Sequence, residues 1–318
     1  MSDPTRVVFT LNTTHALNTA LKSILHPGDH VLSGNMEHNA TVRPLTRLEE
    51  KGITVSRFSV RQEPHRLLEE IRSLIRPNTR ALVCAHASNI AGITVPAAQI
   101  GKLCREKGIL FLMDGAQSAG ILPIHVEKMD IDILCVPGHK GLYGPQGCGM
   151  MLLGANCPVG DTLLEGGSGV HSADPYMPAE LPEHFEAGTL PVPAIAGLDA
   201  GIAFVMQAGI GEIHAHECLL WRKAAQALAC MPRIRIADET EGAILLFRMD
   251  GMSPSAVADA LNKRGICVRA GYHCAPLAHR TLGTDRDGAV RVSFGAMNTE
   301  REVAAFADAL YRILRENG

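Results

Sequence analysis

The sequence predicts an α/β fold: a large first domain built on a mostly parallel central sheet, followed by a smaller α+β domain. Three observations lead there. Short β-branched runs alternate with helix-like segments from the start to about residue 155, the pattern of parallel strands joined by helical crossovers. A tract rich in Gly, Pro, Ser and acidic residues over 155–192 breaks that alternation and reads as long surface loops around a site. The rest of the chain is a helical stretch and then mixed strand and helix text, so the domains are set at 1–205 and 206–318.

The strands, in order, are RVVFT (6–10), HVLS (30–33), ITVSRF (53–58), RALVCAH (80–86), ILFLMD (109–114), DILCV (132–136) and GMMLL (149–153). Between them NTTHALNTAL looks like a helix start, and Pro64 and Pro96 each open a helix at the position where the missing N–H has no intrahelical partner to lose. Residues 193–231 read as helix. RIRIA, ILLFRM, the helix SPSAVADALNKR, ICVRA, VRVSF and a final helix follow. That last helix gathers Val303, Phe306, Leu310, Ile313 and Leu314 on one face, and Thr299 with Glu302 forms a capping box at its start.

Of the 318 residues 46% are hydrophobic and 20% charged, with a net charge of −3, so no basic surplus exists for nucleic acid or an anionic membrane surface. Small-molecule partners are expected instead. The start, MSDPTRVVFT, lacks the basic and apolar regions of a secretory signal, and no stretch is apolar enough to span a bilayer, so the expected location is cytoplasmic. The nine cysteines contain no C-x-x-C pair and sit mostly among apolar neighbours, as reduced buried thiols do. Cys274 is the exception, in the polar text RAGYHCAPLAHR.

Asp114 closes one strand and Lys140 follows the next, where open parallel sheets place their ligands. A lysine there can form a Schiff base with a carbonyl, and a carboxylate can pair with a protonated ring nitrogen. Read alone, the two are equally a surface lysine and a capping aspartate. Thr13 and Thr14 stand at a helix N-terminus, which attracts anions, and read alone they are N-caps. The glycine-rich stretches 141–149 and 165–169 match neither nucleotide-loop spacing, and no metal site is expected, since His214 and His216 at i and i+2 face apart on a helix.

Eight blocks in order, FTLNTTHALN (9–18), MEHN (36–39), HASNIAG (86–92), MDGAQSAG (113–120), PGHKGLYGPQG (137–147), FEAGT (185–189), RAGYHCAP (269–276) and RVSF with NTE (291–300), run over nearly the whole chain. Together they resemble the class V aminotransferase-like enzymes, and within them the cysteine desulfurases and selenocysteine lyases. The resemblance implies a fold-type I enzyme that uses pyridoxal 5′-phosphate. It makes Lys140 the lysine that holds the cofactor and removes the substrate α-proton, and Asp114 the partner of the ring nitrogen. Asn89 and Gln117 are implied at the ring hydroxyl, and His38 on the ring face as a proton shuttle. Thr13, Thr14 and His139 are implied at the phosphate, and the threonine matching Thr189 at the phosphate of a neighbouring subunit, hence a homodimer. Arg291 resembles the clamp on the substrate carboxylate. Cys274, beside His273, resembles the nucleophile that takes sulfur from L-cysteine as a persulfide and releases L-alanine.

Each of these residues has a plainer reading when isolated: a cap or satisfied polar residue for His38 and Asn89, an unreactive thiol for Cys274, a surface ion pair for Arg291. Relative to the family the sequence begins at the phosphate-binding block, an N-terminally short start; if the sequence is complete, a more open pocket, a weaker dimer or reduced activity is expected. His15 stands where some relatives have glutamate, Pro137 where many have serine, and Leu190-Pro191 follows EAGT in place of Pro-Asn. The competing functions are selenocysteine lyase, another class V reaction (transamination, racemisation or β-elimination), or a non-catalytic scaffold. The sequence does not name the protein that takes sulfur onward.

Overall fold

The structure is a computed structural model and describes residues 3–238 and 240–316. Each predicted run of the first domain forms a strand: β1 (Val7–Thr10), β2 (His30–Gly34), β3 (Thr54–Phe58), β4 (Thr79–Ala85), β5 (Leu110–Asp114), β6 (Ile133–Pro137) and β7 (Gly149–Leu153). They make one sheet in the order β1-β7-β6-β5-β4-β2-β3. The five strands β3, β2, β4, β5 and β6 are parallel, while β7 runs against both of its neighbours. Every residue of β2 and of β6 is buried, as in a sheet covered on both faces.

Helices α1 (Thr13–Ile24), α2 (Asn39–Glu49), α3 (Pro64–Leu74) and α4 (Ala97–Lys107) connect these strands. Leu17, Leu21 and Ile24 of α1 and Leu45 and Leu48 of α2 pack with Ala81, Val83, Leu112, Ile133, Cys135, Met151 and Leu153. The period of two along β4, β6 and β7 places those sheet residues on one face. Residues 155–191 form neither helix nor strand, as the composition predicted, and α5 (Val192–Ala208) follows.

Helix α6 (Ile210–Ala229), β8 (Ile234–Ile236), β9 (Ile244–Met249), α7 (Pro254–Asn262), β10 (Arg269–Gly271), α8 (Pro276–Thr281), β11 (Ala289–Ser293) and α9 (Glu300–Glu316) complete the chain. Their sheet is antiparallel, in the order β10-β11-β9-β8. All five predicted apolar residues of α9 are buried in its core with Phe247, Leu245 and Trp221. The capping box is formed in both directions, Glu302 N to Thr299 Oγ1 at 3.3 Å and Thr299 N to Glu302 Oε2 at 2.7 Å. The run ICVRA departs from expectation: Ile266–Val268 lie outside the strand, with Ile266 and Val268 packed against the core, and pairing begins only at Arg269.

Contacts divide the chain into two compact units. One holds the chain up to His86 together with Thr94–Ala208, and the other holds Ala87–Ile93 together with everything from Gly209 on. The segment 87–93, part of the first domain by sequence position, joins the second unit through its contacts: Asn89 Nδ2 donates to His273 O at 2.8 Å, and Gly92 is packed so closely on Thr240 that a Cβ would overlap the Thr240 carbonyl. All nine cysteines are free; Cys84, Cys104, Cys135, Cys148, Cys157 and Cys218 are buried, and Cys230, Cys267 and Cys274 are exposed. No single helix among the described residues is long and apolar enough to cross a membrane.

Candidate active site

In the first unit the carboxyl ends of β2, β4, β5 and β6 lie side by side. Strand β1 is antiparallel to β7, which is antiparallel to β6, so β1 ends at the same edge, with Thr10, Gly149 and Pro137 in one row. The chain therefore delivers Thr13 and Thr14 after β1, His38 after β2, Asp114 and Gln117 at and after β5, and His139 and Lys140 after β6 to a single edge of the sheet. Parallel sheets bind ligands at that edge because the turns there are free to carry varied side chains over a rigid base.

Asp114 is 4% exposed, and burial pushes its carboxyl up from the usual range. The Ala116 N–H, 2.8 Å from Oδ1, and the charge of Lys140 pull it back down. The two residues on which the sequence argument turned thus feel each other electrostatically. Their spacing is fixed by backbone. The turn after Asp114 ends at Gly120 (φ 82°), whose Cα lies so close to Gly141 that a Cβ would overlap the Gly141 carbonyl oxygen, and the reverse substitution at Gly141 would meet Ala119 O. Only two glycines let the segment carrying Gln117 press against the residue after Lys140.

Helix α1 is capped by Asn12, whose side chain accepts from His15 N at 3.0 Å, so neither threonine serves as the N-cap. Thr13 instead lies in the first turn with Oγ1 buried and without a hydrogen-bond partner, beside backbone N–H groups that no helical carbonyl can reach. Thr14, His139 and Lys140 are exposed, Gln117 is half-buried, and Thr189 is exposed within the irregular segment before α5.

His38 does cap α2: its Nδ1 accepts from Ala40 N at 3.0 Å. That bond places the proton of a neutral ring on Nε2, so capping leaves proton chemistry to the far nitrogen. Two neighbours went unassigned in the sequence. Glu37 is buried and takes the Ala85 N–H on both oxygens, at 3.0 and 3.1 Å. Burial, reinforced by the nearby Asp114 charge, pushes it up to about 8, so it is a neutral acid at pH 7. His86 follows β4 with its N–H on Asp114 O at 2.9 Å, and burial pushes its ring down to about 4. Neither had a signal beyond lying in a block with residues of assigned role.

In the second unit the structure brings Asn89, His273 and Arg291 together. Asn89 Nδ2 donates to His273 O at 2.8 Å, and Arg291 Nη1 donates to Asn89 O at 2.9 Å. Asn89 Oδ1 and Arg291 Nε remain buried without protein partners. Cys274 is exposed beside them in sequence, and His273 and Cys274 both adopt left-handed φ, 51° and 55°. That conformation costs a non-glycine residue about 1–2 kcal/mol. His214 and His216 turn to separate partners, Cys218 Sγ at 3.7 Å and Asn298 O at 2.8 Å.

The pattern of the class-V aminotransferases matches residues 1–306. A probable cysteine desulfurase of Mycolicibacterium paratuberculosis is 34% identical over 96% of the chain, which spans 46% of that protein's length. A probable cysteine desulfurase of Methanothermobacter thermautotrophicus is 31% identical over 96% of the chain and 79% of its own length. Among solved structures, the cysteine desulfurase CsdA from Escherichia coli superposes with a TM-score of 0.92 at 29% identity, covering 100% of this chain and 81% of that one. The chain thus spans about half of one curated relative and about four-fifths of the other. Matched over residues 1–306, the chain belongs to the class-V aminotransferase family.

Proposed function

We propose that this protein is a pyridoxal 5′-phosphate-dependent cysteine desulfurase, which takes sulfur from L-cysteine onto Cys274 and releases L-alanine. The observation that carries the reading is an exposed Cys274 on a strained turn, in a chain whose Asp114 and Lys140 are coupled at the carboxyl edge of a parallel sheet. The residues fit the cofactor. Thr13 Oγ1 is a buried hydroxyl without a partner at a helix N-terminus, suited to a phosphate, and Asn89 Oδ1 is a buried acceptor suited to a ring hydroxyl. Asp114 is a buried acid suited to a protonated ring nitrogen.

When bound, pyridoxal phosphate supplies an electron sink for the pair left at the substrate Cα. Lys140 tethers it and moves the α-proton at Nζ. Asp114 holds the ring nitrogen, Gln117 and Asn89 the ring hydroxyl, and Thr13, Thr14 and His139 the phosphate, with Thr189 reaching the phosphate of a second copy. His38 would lie against the bound ring and would move protons at Nε2. Arg291, one of whose donors is spent on Asn89 O, offers the rest to the substrate carboxylate. Cys274 Sγ then attacks the substrate sulfur: the S–S bond forms, the Cβ–S bond breaks, and the pair left on Cβ takes a proton to give alanine.

The same reading makes the protein a homodimer, supported by the apolar side chains left exposed on α5 and the segment before it, Val192, Met206, Leu164, Val170 and Tyr176. A cytoplasmic location is supported by nine free thiols. The test is peptide mass spectrometry after incubation of the holoenzyme with L-cysteine. One added sulfur atom is expected on the Cys274 peptide, with no alanine released by Cys274→Ala. Full alanine release by that variant sinks the reading in favour of another class V reaction, and L-selenocysteine run in parallel separates lyase from desulfurase.

A further inference from the structure

Cys274 sits in a four-residue turn, Tyr272–Ala275, closed by Ala275 N to Tyr272 O at 2.8 Å. Its two central residues, His273 and Cys274, have φ of 51° and 55°, the sign pattern of a turn that favours Gly, Asn or Asp at both places. Such strain persists only where the surroundings over-determine it. Behind this turn stands a line of polar side chains that no role assigned so far requires. His273 Nδ1 lies 3.1 Å from His279 Nε2, His279 Nδ1 lies 2.7 Å from Thr284 Oγ1, and His273 Nε2 lies 3.3 Å from Arg269 O.

All three residues are buried, His279 completely. Buried polar groups are tolerated only when each is satisfied, and here one arrangement satisfies them all. Arg269 O can only accept, so His273 carries its proton on Nε2. Burial pushes the His273 ring down to about 4, so it is neutral, and Nδ1 accepts from His279 Nε2–H. His279 Nδ1 then accepts from the Thr284 hydroxyl, in preference to the longer contact of that hydroxyl with His279 O at 3.4 Å. The bonds run one way, from Thr284 through both rings to Arg269 O. Asn89 ties the same turn from its other side, at His273 O.

We propose that Thr284 and His279 are positioning residues for sulfur transfer: they lock the His273 ring, and through it hold the left-handed turn that presents Cys274. Both nitrogens of His273 are engaged in this line, so His273 anchors the turn rather than serving as the base for the neighbouring thiol. The proposal rests on Cys274 as sulfur acceptor. Its signature is a hydroxyl whose loss loosens the turn and slows transfer without weakening substrate binding.

The experiment compares holoenzyme carrying Thr284→Val, which keeps the shape and removes the hydroxyl, with Thr284→Ser, which keeps the hydroxyl. Three quantities are read: amide hydrogen exchange over 269–284, the rate at which the Cys274 peptide gains sulfur, and L-cysteine affinity from the change in cofactor absorbance. For Thr284→Val, exchange is expected to rise and sulfur gain to fall by roughly ten-fold each, with affinity unchanged. Thr284→Ser should stay within about two-fold of wild type. Valine behaving as wild type, or serine failing as badly as valine, overturns the proposal. Should the valine variant not fold, His279→Gln is set against His279→Met. The glutamine amide keeps a donor toward His273 and is expected to transfer sulfur faster; equal rates overturn the proposal. A wild type that never gains sulfur on Cys274, yet shows the exchange difference, removes the desulfurase reading and leaves the anchored turn standing.

Discussion

The residues proposed to carry the chemistry, Lys140 with Asp114 in one unit and Cys274 in the other, are held by different physics. Lys140 and Asp114 keep their places because the backbones around them touch: Gly120 and Gly141 meet with no side chain between them, and the parallel strands below are buried on both faces. Cys274 keeps its place because side chains behind it are bonded in series, with backbone strain in the turn itself. Backbone packing suits the part proposed to bind a large rigid cofactor. A strained turn on polar supports suits the part proposed to present one atom to solvent and hand something on.

Removing the proposed reactive groups gives the largest expected effects. Lys140→Ala and Cys274→Ala should each lower alanine formation by at least roughly a thousand-fold, but only the first should abolish the yellow colour of the bound cofactor. A Cys274→Ala protein that loses colour as well would mean that the two regions are not independent. Next comes Gly120→Ala, which adds a Cβ against the Gly141 carbonyl in a left-handed backbone and should cost about 2–4 kcal/mol in denaturant unfolding. An unaltered midpoint, with cofactor retained, would show that backbone contact does not set this edge.

A third expectation concerns pH. Glu37 titrates near 4.5 when unfolded and at about 8 in the folded chain. The unfolded state therefore releases that proton first, and the wild type should lose stability as pH rises from about 4.5 to about 8, levelling above that. Glu37→Gln, a neutral mimic of the protonated acid, should remove that loss, so melting temperatures of variant and wild type diverge with rising pH. Parallel melting curves from pH 5 to about 9 would contradict it. The smallest effect is Thr299→Ala, which removes the cap of α9 in the second unit and should cost about 1 kcal/mol, leaving Cys274 labelling rates untouched.

Strands were the most legible part of the sequence. Apolar runs bounded by turn residues identified each strand of the large sheet, because buried strands need apolar side chains on both faces. Short local elements were harder to see. Helix α8 spans only Pro276–Thr281, too short for an apolar period, and β10 is an edge strand whose start is set by pairing with β11 rather than by its own apolar residues. The proposed site residues rest on their sequence blocks, not on their surroundings. Thr13 shows the limit: only the structure reveals that Asn12 takes the capping duty and leaves the threonine hydroxyl unused. His279 and Thr284 gave no sign, because a bond between side chains five or six positions apart across a strained turn follows no period.

The distribution of the other thiols has its own consequence. Burial raises the thiols of Cys84, Cys104, Cys135, Cys148, Cys157 and Cys218, so none of them is a ready nucleophile. A protein that carries a labile sulfur atom on its surface risks losing it to its own interior. Sulfur loaded on Cys274 in the proposed reaction would find no ready nucleophile among these six buried thiols.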